Sequence, residues 1–265
     1  MTLLAHDRYC DEIDRQVQQL RAVVTSGADL SRTVPTCPDW SLEDLVRHNG
    51  GAFRWAELLV RTRAEEDIPE DKVPLIDGPD TKGDAAALDA WLAETGRMLV
   101  DTLRAAGPDA KAWSWAETHT AGFWARRMTH EITIHRADAT LAAGLPYEVA
   151  PEVAADAIDE WLEIVEFVQR SQPEDSAREL RGDGRTIHLH ATDGTPELNA
   201  EWVIELAEDG VRWRRGHEKA DVALRGPLTA VLLAFYRRLP LDSAEVEVLG
   251  ERELLEFWLE RATFG

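Results

Sequence analysis

Ser41-Leu-Glu-Asp-Leu-Val-Arg-His48 is the stretch from which the fold is read. Ser41 has the chemistry of a helix N-cap, and Asp44, three residues on, completes a capping box. The helix opened there runs to about Arg63, and the box fixes its register, so His48 falls mid-helix with Ala52 and Trp55 on its own stripe. A turn-rich stretch, Thr33–Trp40, precedes it and carries Pro35 and Pro38. Further upstream, Ile13, Val17, Leu20, Val23 and Val24 recur at helical spacing within residues 5–26. Downstream, a polar loop with Pro69, Pro74, Gly78, Pro79 and Gly83 leads to a helix over roughly 84–106, stopped at Gly107-Pro108. Another spans roughly 121–142 and stops at Gly144, with Pro146 just beyond. Four helices of about 20 residues joined by loops predict a four-helix bundle whose core admits a site built from facing helices.

The period then changes. Residues 151–171 form one more amphipathic helix that fits either half. Thr186-Ile-His-Leu-His-Ala191 alternates like a strand, as do Glu201–Leu206 and Val211–Arg214, with Glu208-Asp209-Gly210 as the hairpin signal between the latter two. Asp221–Leu224 and Glu245–Leu249 are shorter strand candidates, and Pro227–Arg238 and Glu251–Ala262 read as helical. The expected fold class is therefore α+β, a helical bundle followed by a small, mostly antiparallel sheet with helices on one side. The boundary falls within 145–180, and we divide the chain as residues 1–147 and 148–265.

Bulk properties remove several classes of function. The chain of 265 residues is 44% hydrophobic and carries a formal net charge of -21, so nucleic acid and anionic membrane surfaces are poor partners. No apolar run approaches the ~20 residues that span a bilayer. The first residues lack a basic stretch followed by an apolar core, so a cytoplasmic location is expected. Cys10 and Cys37 make no disulfide scaffold. There is no P-loop, GxGxxG or GxSxG, and so no sign of a phosphate cradle, a dinucleotide site or a serine nucleophile.

The chemistry points to His130-Glu131-Ile-Thr-Ile134-His135. This is not HExxH, because Ile134 occupies the second histidine position, but Glu131 and His135 are four apart, share a helix face and lie about 6 Å apart along the axis. They can reach one ion. Asp138 is next on that face and could orient a ligand. His130 points about 100° away and is a weaker candidate. His48 is the natural third ligand, an inward histidine in the bundle core, giving a three-ligand site with a coordination position left open.

Cys37-Pro-Asp-Trp40-Ser-Leu-Glu-Asp-Leu-Val-Arg-His48 resembles the C-P-x-W-[ST]-x-x-D-L-x-x-H pattern of the mycothiol-dependent maleylpyruvate isomerase family, part of the wider DinB-like metal-binding bundles. Glu131-Ile-Thr-Ile-His135-Arg136-Ala-Asp138 resembles its second signature, E-x-x-x-H-R-x-D, with Ala137 where a tryptophan is most frequent. The remainder is similar to the family's second domain: His188-Leu-His190-Ala-Thr-Asp193, a tryptophan-bearing strand pair, Asp221-Val-x-Leu-x-Gly, and a leucine-rich helix ending Arg237-Arg238. The resemblance implies a DinB-like four-helix bundle followed by a sterol-carrier-like domain. It implies that His48, Glu131 and His135 are zinc ligands, and that Arg238, or less surely Arg237, faces the site to hold a carboxylate of thiol or substrate.

Two imidazoles, one carboxylate and an open position suit zinc, and suit nickel or iron less well. The expectation is a cytoplasmic, metal-dependent isomerase or S-transferase using a low-molecular-weight thiol (mycothiol, by the resemblance) against a small electrophile. The alternatives are a metal-dependent hydrolase using activated water and a non-enzymatic small-ligand or lipid-binding protein. His188 and His190, two apart on a strand, could hold a second metal with Asp193; the preferred reading makes them polar residues on the open face of a half-buried sheet. Cys37 could approach the metal as a fourth ligand; the preferred reading is a small buried residue beside Trp40.

Overall fold

The computed structural model describes residues 4–263. Residues 1–3 and 264–265, at the outer ends of the two expected domains, lie outside the described residues. The chain forms two compact units, Met1–Tyr147 and Glu148–Gly265.

The first unit holds α1 (His6–Val24), β1 (Thr33–Val34), β2 (Cys37–Ser41), α2 (Leu42–Thr62), α3 (Ala85–Ala106) and α4 (Ala121–Ala143). Helix α1 packs on α3 and α4, and α2 packs on the same two, so the helices run α1, α3, α2, α4 around the bundle. That order makes α2 and α4 neighbours, which decides where their polar side chains meet. The capping box forms: Ser41 Oγ accepts from Asp44 N at 3.1 Å, and Asp44 Oδ2 accepts from Ser41 N at 3.1 Å. Leu42, Leu45, Val46, Phe53, Leu59, Leu92, Leu99, Trp124 and Ile132 are fully buried and form the core. Gly50 is required where it stands, because a Cβ there would lie 2.1 Å from the Trp91 ring of α3. The turn-rich stretch before Ser41 is a short antiparallel hairpin, Val34 pairing with Cys37 across Pro35-Thr36. Pro35 and Pro38 interrupt this short stretch and leave no alternating pattern from which to read it.

The second unit opens with α5 (Pro151–Ser171) and continues through β3 (Arg185–Ala191), β4 (Glu201–Ala207), β5 (Gly210–Arg215), β6 (Val222–Gly226), α6 (Leu228–Phe235), β7 (Glu247–Gly250) and α7 (Arg252–Arg261). The sheet order is β5-β4-β3-β6-β7, with only the β3–β6 pair parallel. Ile187, Leu189, Trp202, Ile204, Val222 and Leu224 share the buried face. Trp202 Nε1 donates to Asp159 Oδ1 of α5 at 2.7 Å, which locks that helix to the sheet. Helix α6 is shorter than the pattern suggests. It ends at Phe235, and Arg237 takes a left-handed backbone at φ 64°, so Arg237 and Arg238 lie beyond the helix, not within its last turn. The leucine-rich period continues through Leu239 and masks that break.

Candidate metal centre

His48 of α2 meets Glu131 and His135 of α4. His48 Nε2 lies 3.0 Å from Glu131 Oε1, and His135 Nε2 lies 3.2 Å from the same oxygen. The two imidazole rings are 5.0 Å apart and nearly perpendicular. One ligand atom from each of the three residues falls within 4.8 Å of the other two.

Each member is held from behind. Asp138 Oδ2 lies 3.1 Å from His135 Nδ1, and Thr36 Oγ1 of the β1–β2 turn donates to Asp138 Oδ1 at 2.5 Å. Asp138, fully buried, thus directs the Nε2 edge of His135 at Glu131. Arg127 Nη2 lies 3.0 Å from Glu131 Oε2 and engages the oxygen that the histidines do not. Sequence reading passed over Arg127, although its spacing of four before Glu131 marks the same helix face. Trp40 packs its ring 4.6 Å from that of His48 and 6.1 Å from that of His135.

The electrostatics follow. Burial alone would raise the Glu131 carboxyl, but the charge and hydrogen bond of His135, the hydrogen bond of His48 and the charge of Arg127 hold it well below the usual carboxylate range. Burial alone would lower His135, but Glu131 and Asp138 override it and raise that imidazole to about 9. A cation's work is thus done in part by a proton when no metal is bound.

Several expectations change. His48 is not a core residue: its side chain is 39% exposed, against 20% for Glu131 and 15% for His135, so the triad opens at the bundle surface and not inside it. The hydrophobic stripe put His48 inward, but position 48 lies where α2 borders the hairpin, with the Trp40 ring tilted against it. His130 is fully buried edge-on to Tyr9 of α1, away from the triad. Cys37 is half-buried, with Sγ 3.8 Å from Asp138 Oδ2, and one ligand atom each of Cys37, His135 and Asp138 lies within 4.8 Å of the others. Ala137 is fully buried. Arg237 and Arg238 belong to the second unit: Arg237 is exposed, and Arg238, half-buried, donates from Nη1 to the Tyr236 carbonyl at 2.8 Å. Asp193 lies apart from His188 and His190, accepting from Leu228 N at 2.7 Å at the start of α6.

The chain matches one known family over most of its length. The model of the mycothiol maleylpyruvate isomerase N-terminal domain matches residues 10–140, and that of the C-terminal domain of the same family matches residues 152–257. No curated protein matches the sequence. The crystal structure of a mycothiol-dependent maleylpyruvate isomerase superposes with a TM-score of 0.58 at 15% identity, covering 95% of this chain and 97% of that one. The structure of a histidine-to-alanine mutant of a mycothiol-dependent maleylpyruvate isomerase gives 0.56 at 14% identity over the same shares of the two chains. At such identities the structural likeness carries the fold.

Proposed function

Given that the chain belongs to the mycothiol maleylpyruvate isomerase family, we propose that it is a mycothiol-using isomerase or S-transferase of a small electrophile, dependent on a divalent metal held by His48, Glu131 and His135. The observation that carries the reading is the convergence of two imidazole nitrogens on one carboxylate oxygen at 3.0 and 3.2 Å. The donor set fits zinc: nitrogen and oxygen ligands, three from protein, with the solvent-facing side of His48 left open. When bound, the metal supplies Lewis acidity that favours the thiolate over the thiol at neutral pH.

The chain's own residues do the rest. Asp138 holds the His135 ring with Nε2 turned towards Glu131, as a ligand would need, and Arg127 keeps Glu131 ionised and oriented. Trp40 walls one side of the His48 ring and excludes water there. The thiol is supplied from outside, as the family implies; Cys10 is fully buried and burial pushes its thiol up to about 11, and Cys37 Sγ lies against Asp138 Oδ2. For an isomerase, the thiolate adds to a conjugated double bond of the substrate, rotation follows about the resulting single bond, and elimination returns the thiol. For a transferase, the thiolate displaces a leaving group. By the family resemblance we carry Arg238 over as the proposed partner of a carboxylate on thiol or substrate, a chemistry suited to a guanidinium.

The test is cobalt substitution. Cobalt-loaded protein should develop a sulfur-to-metal charge-transfer band on adding mycothiol, and His48→Ala should abolish both the band and the metal at this site. No spectral response to mycothiol or any other cellular thiol would overturn the thiol chemistry, and substrate hydrolysis without thiol would put the activated-water reading in its place.

A further inference from the structure

The face of the second unit's sheet opposite Ile187 and Leu189 gathers three of the chain's eight histidines around one oxygen. His188 and His190, two apart on β3, share that face. The antiparallel register sets Glu201 of β4 directly across from His190. Just past β5, Gly216 N bonds the Glu201 carbonyl at 3.0 Å, which brings His217 round to the same carboxylate. Glu201 Oε2 then lies 2.9 Å from His188 Nε2, 2.9 Å from His190 Nδ1 and 2.6 Å from His217 Nδ1. The three rings form a nearly equilateral triangle, with centroids 5.3 to 5.4 Å apart. One ligand atom from each of the four residues lies within 4.8 Å of the others.

A single carboxylate oxygen has two lone pairs, and here three ring nitrogens crowd it. A cation satisfies all four donors at once, where hydrogen bonds satisfy them only by crowding. Three imidazoles with one carboxylate select zinc-class ions over magnesium or calcium.

We propose that His188, His190, Glu201 and His217 form a second divalent transition-metal site, contained wholly in the C-terminal unit and independent of the triad in the bundle. Four protein ligands complete a tetrahedron, so the site is structural and closed. It pins the segment after β5 to the β3–β4 pair. The His217 side chain is 70% exposed, so the rim of the site is within reach of a chelator.

The experiment counts ions in the full chain. A His48→Ala/His135→Ala double variant removes the bundle site; after chelator treatment it is titrated with zinc against a chromophoric competitor, and with cobalt in parallel. It should still bind one equivalent, with the intense visible absorption of tetrahedral cobalt. Adding His217→Ala, a change at the exposed rim, should weaken that binding at least 100-fold and remove the zinc-induced rise in melting temperature. Glu201→Gln should act in the same direction. A double variant that takes up no zinc at micromolar concentration overturns the proposal, as does one whose single equivalent survives His217→Ala unchanged. Neither result bears on the bundle triad, whose occupancy is read as the difference between wild type and the double variant.

Discussion

Loading zinc into the bundle triad should expel a proton from His135, and its affinity should track pH accordingly. In metal-free protein His135 lies between Glu131 Oε1 at 3.2 Å and Asp138 Oδ2 at 3.1 Å, and these carboxylates raise it to about 9. At pH 7 the imidazole therefore carries a proton on the nitrogen the metal needs. Removing it across two pH units costs roughly 3 kcal/mol, an affinity loss on the order of 100-fold relative to pH 9. Zinc affinity should thus rise about tenfold per unit between pH 7 and 9 and then level off. The metal-free fold has the opposite slope. A raised histidine pKa stabilises fully below the unfolded value of about 6.5, and the contribution, about 3 kcal/mol at most, is lost as pH rises through about 9. The assay is competition with a chelator of known pH dependence in the His217→Ala background, which confines the measurement to the triad. Asp138→Asn removes one of the two anions holding the proton, so it should flatten the profile while lowering affinity about 10- to 100-fold at pH 9. An affinity independent of pH from 7 to 8.5 in the parent protein would refute the reasoning, because it would mean that His135 is already neutral.

Arg238→Ala should leave metal content intact and weaken binding of a carboxylate-bearing thiol or substrate by about 1.5–3 kcal/mol, read as a rise in KM or a loss in a thiol titration. Ser41→Ala removes the oxygen that accepts from Asp44 N and should lower the stability of the bundle by about 1 kcal/mol in chemical denaturation. Asp159→Ala should cost the second unit about 3–5 kcal/mol, seen as a lower melting temperature. It strips Arg215 of a two-point ion pair at 2.6 and 3.0 Å and leaves the Trp202 Nε1 donor buried without its acceptor. A melting temperature unchanged in Asp159→Ala would show that solvent or a neighbouring group replaces the carboxylate.

What the sequence determined by itself is what short-range physics encodes. The capping box at Ser41 and Asp44, the glycine stop at Gly144 and the change from helical to alternating period after residue 171 all act within a few residues, and the element boundaries follow them closely. The pairing of Glu131 with His135 on one face is a property of the helix alone. Whether His48 would join them was not. That depended on α2 and α4 being neighbours around the bundle, which is set by how the four apolar stripes pack. Packing also decided that His48 stands at the surface, that Arg127 takes the second oxygen of Glu131, and that the hairpin turn at Thr36 reaches Asp138. The same limit governs the sheet. Alternation placed His188 and His190 on one face, but Glu201 came from strand register, and His217 from a turn beyond the adjacent strand. Side chains 13 and 16 residues apart along the chain converge on one oxygen only once backbone pairing has fixed their spacing, and no local pattern in the sequence carries that distance.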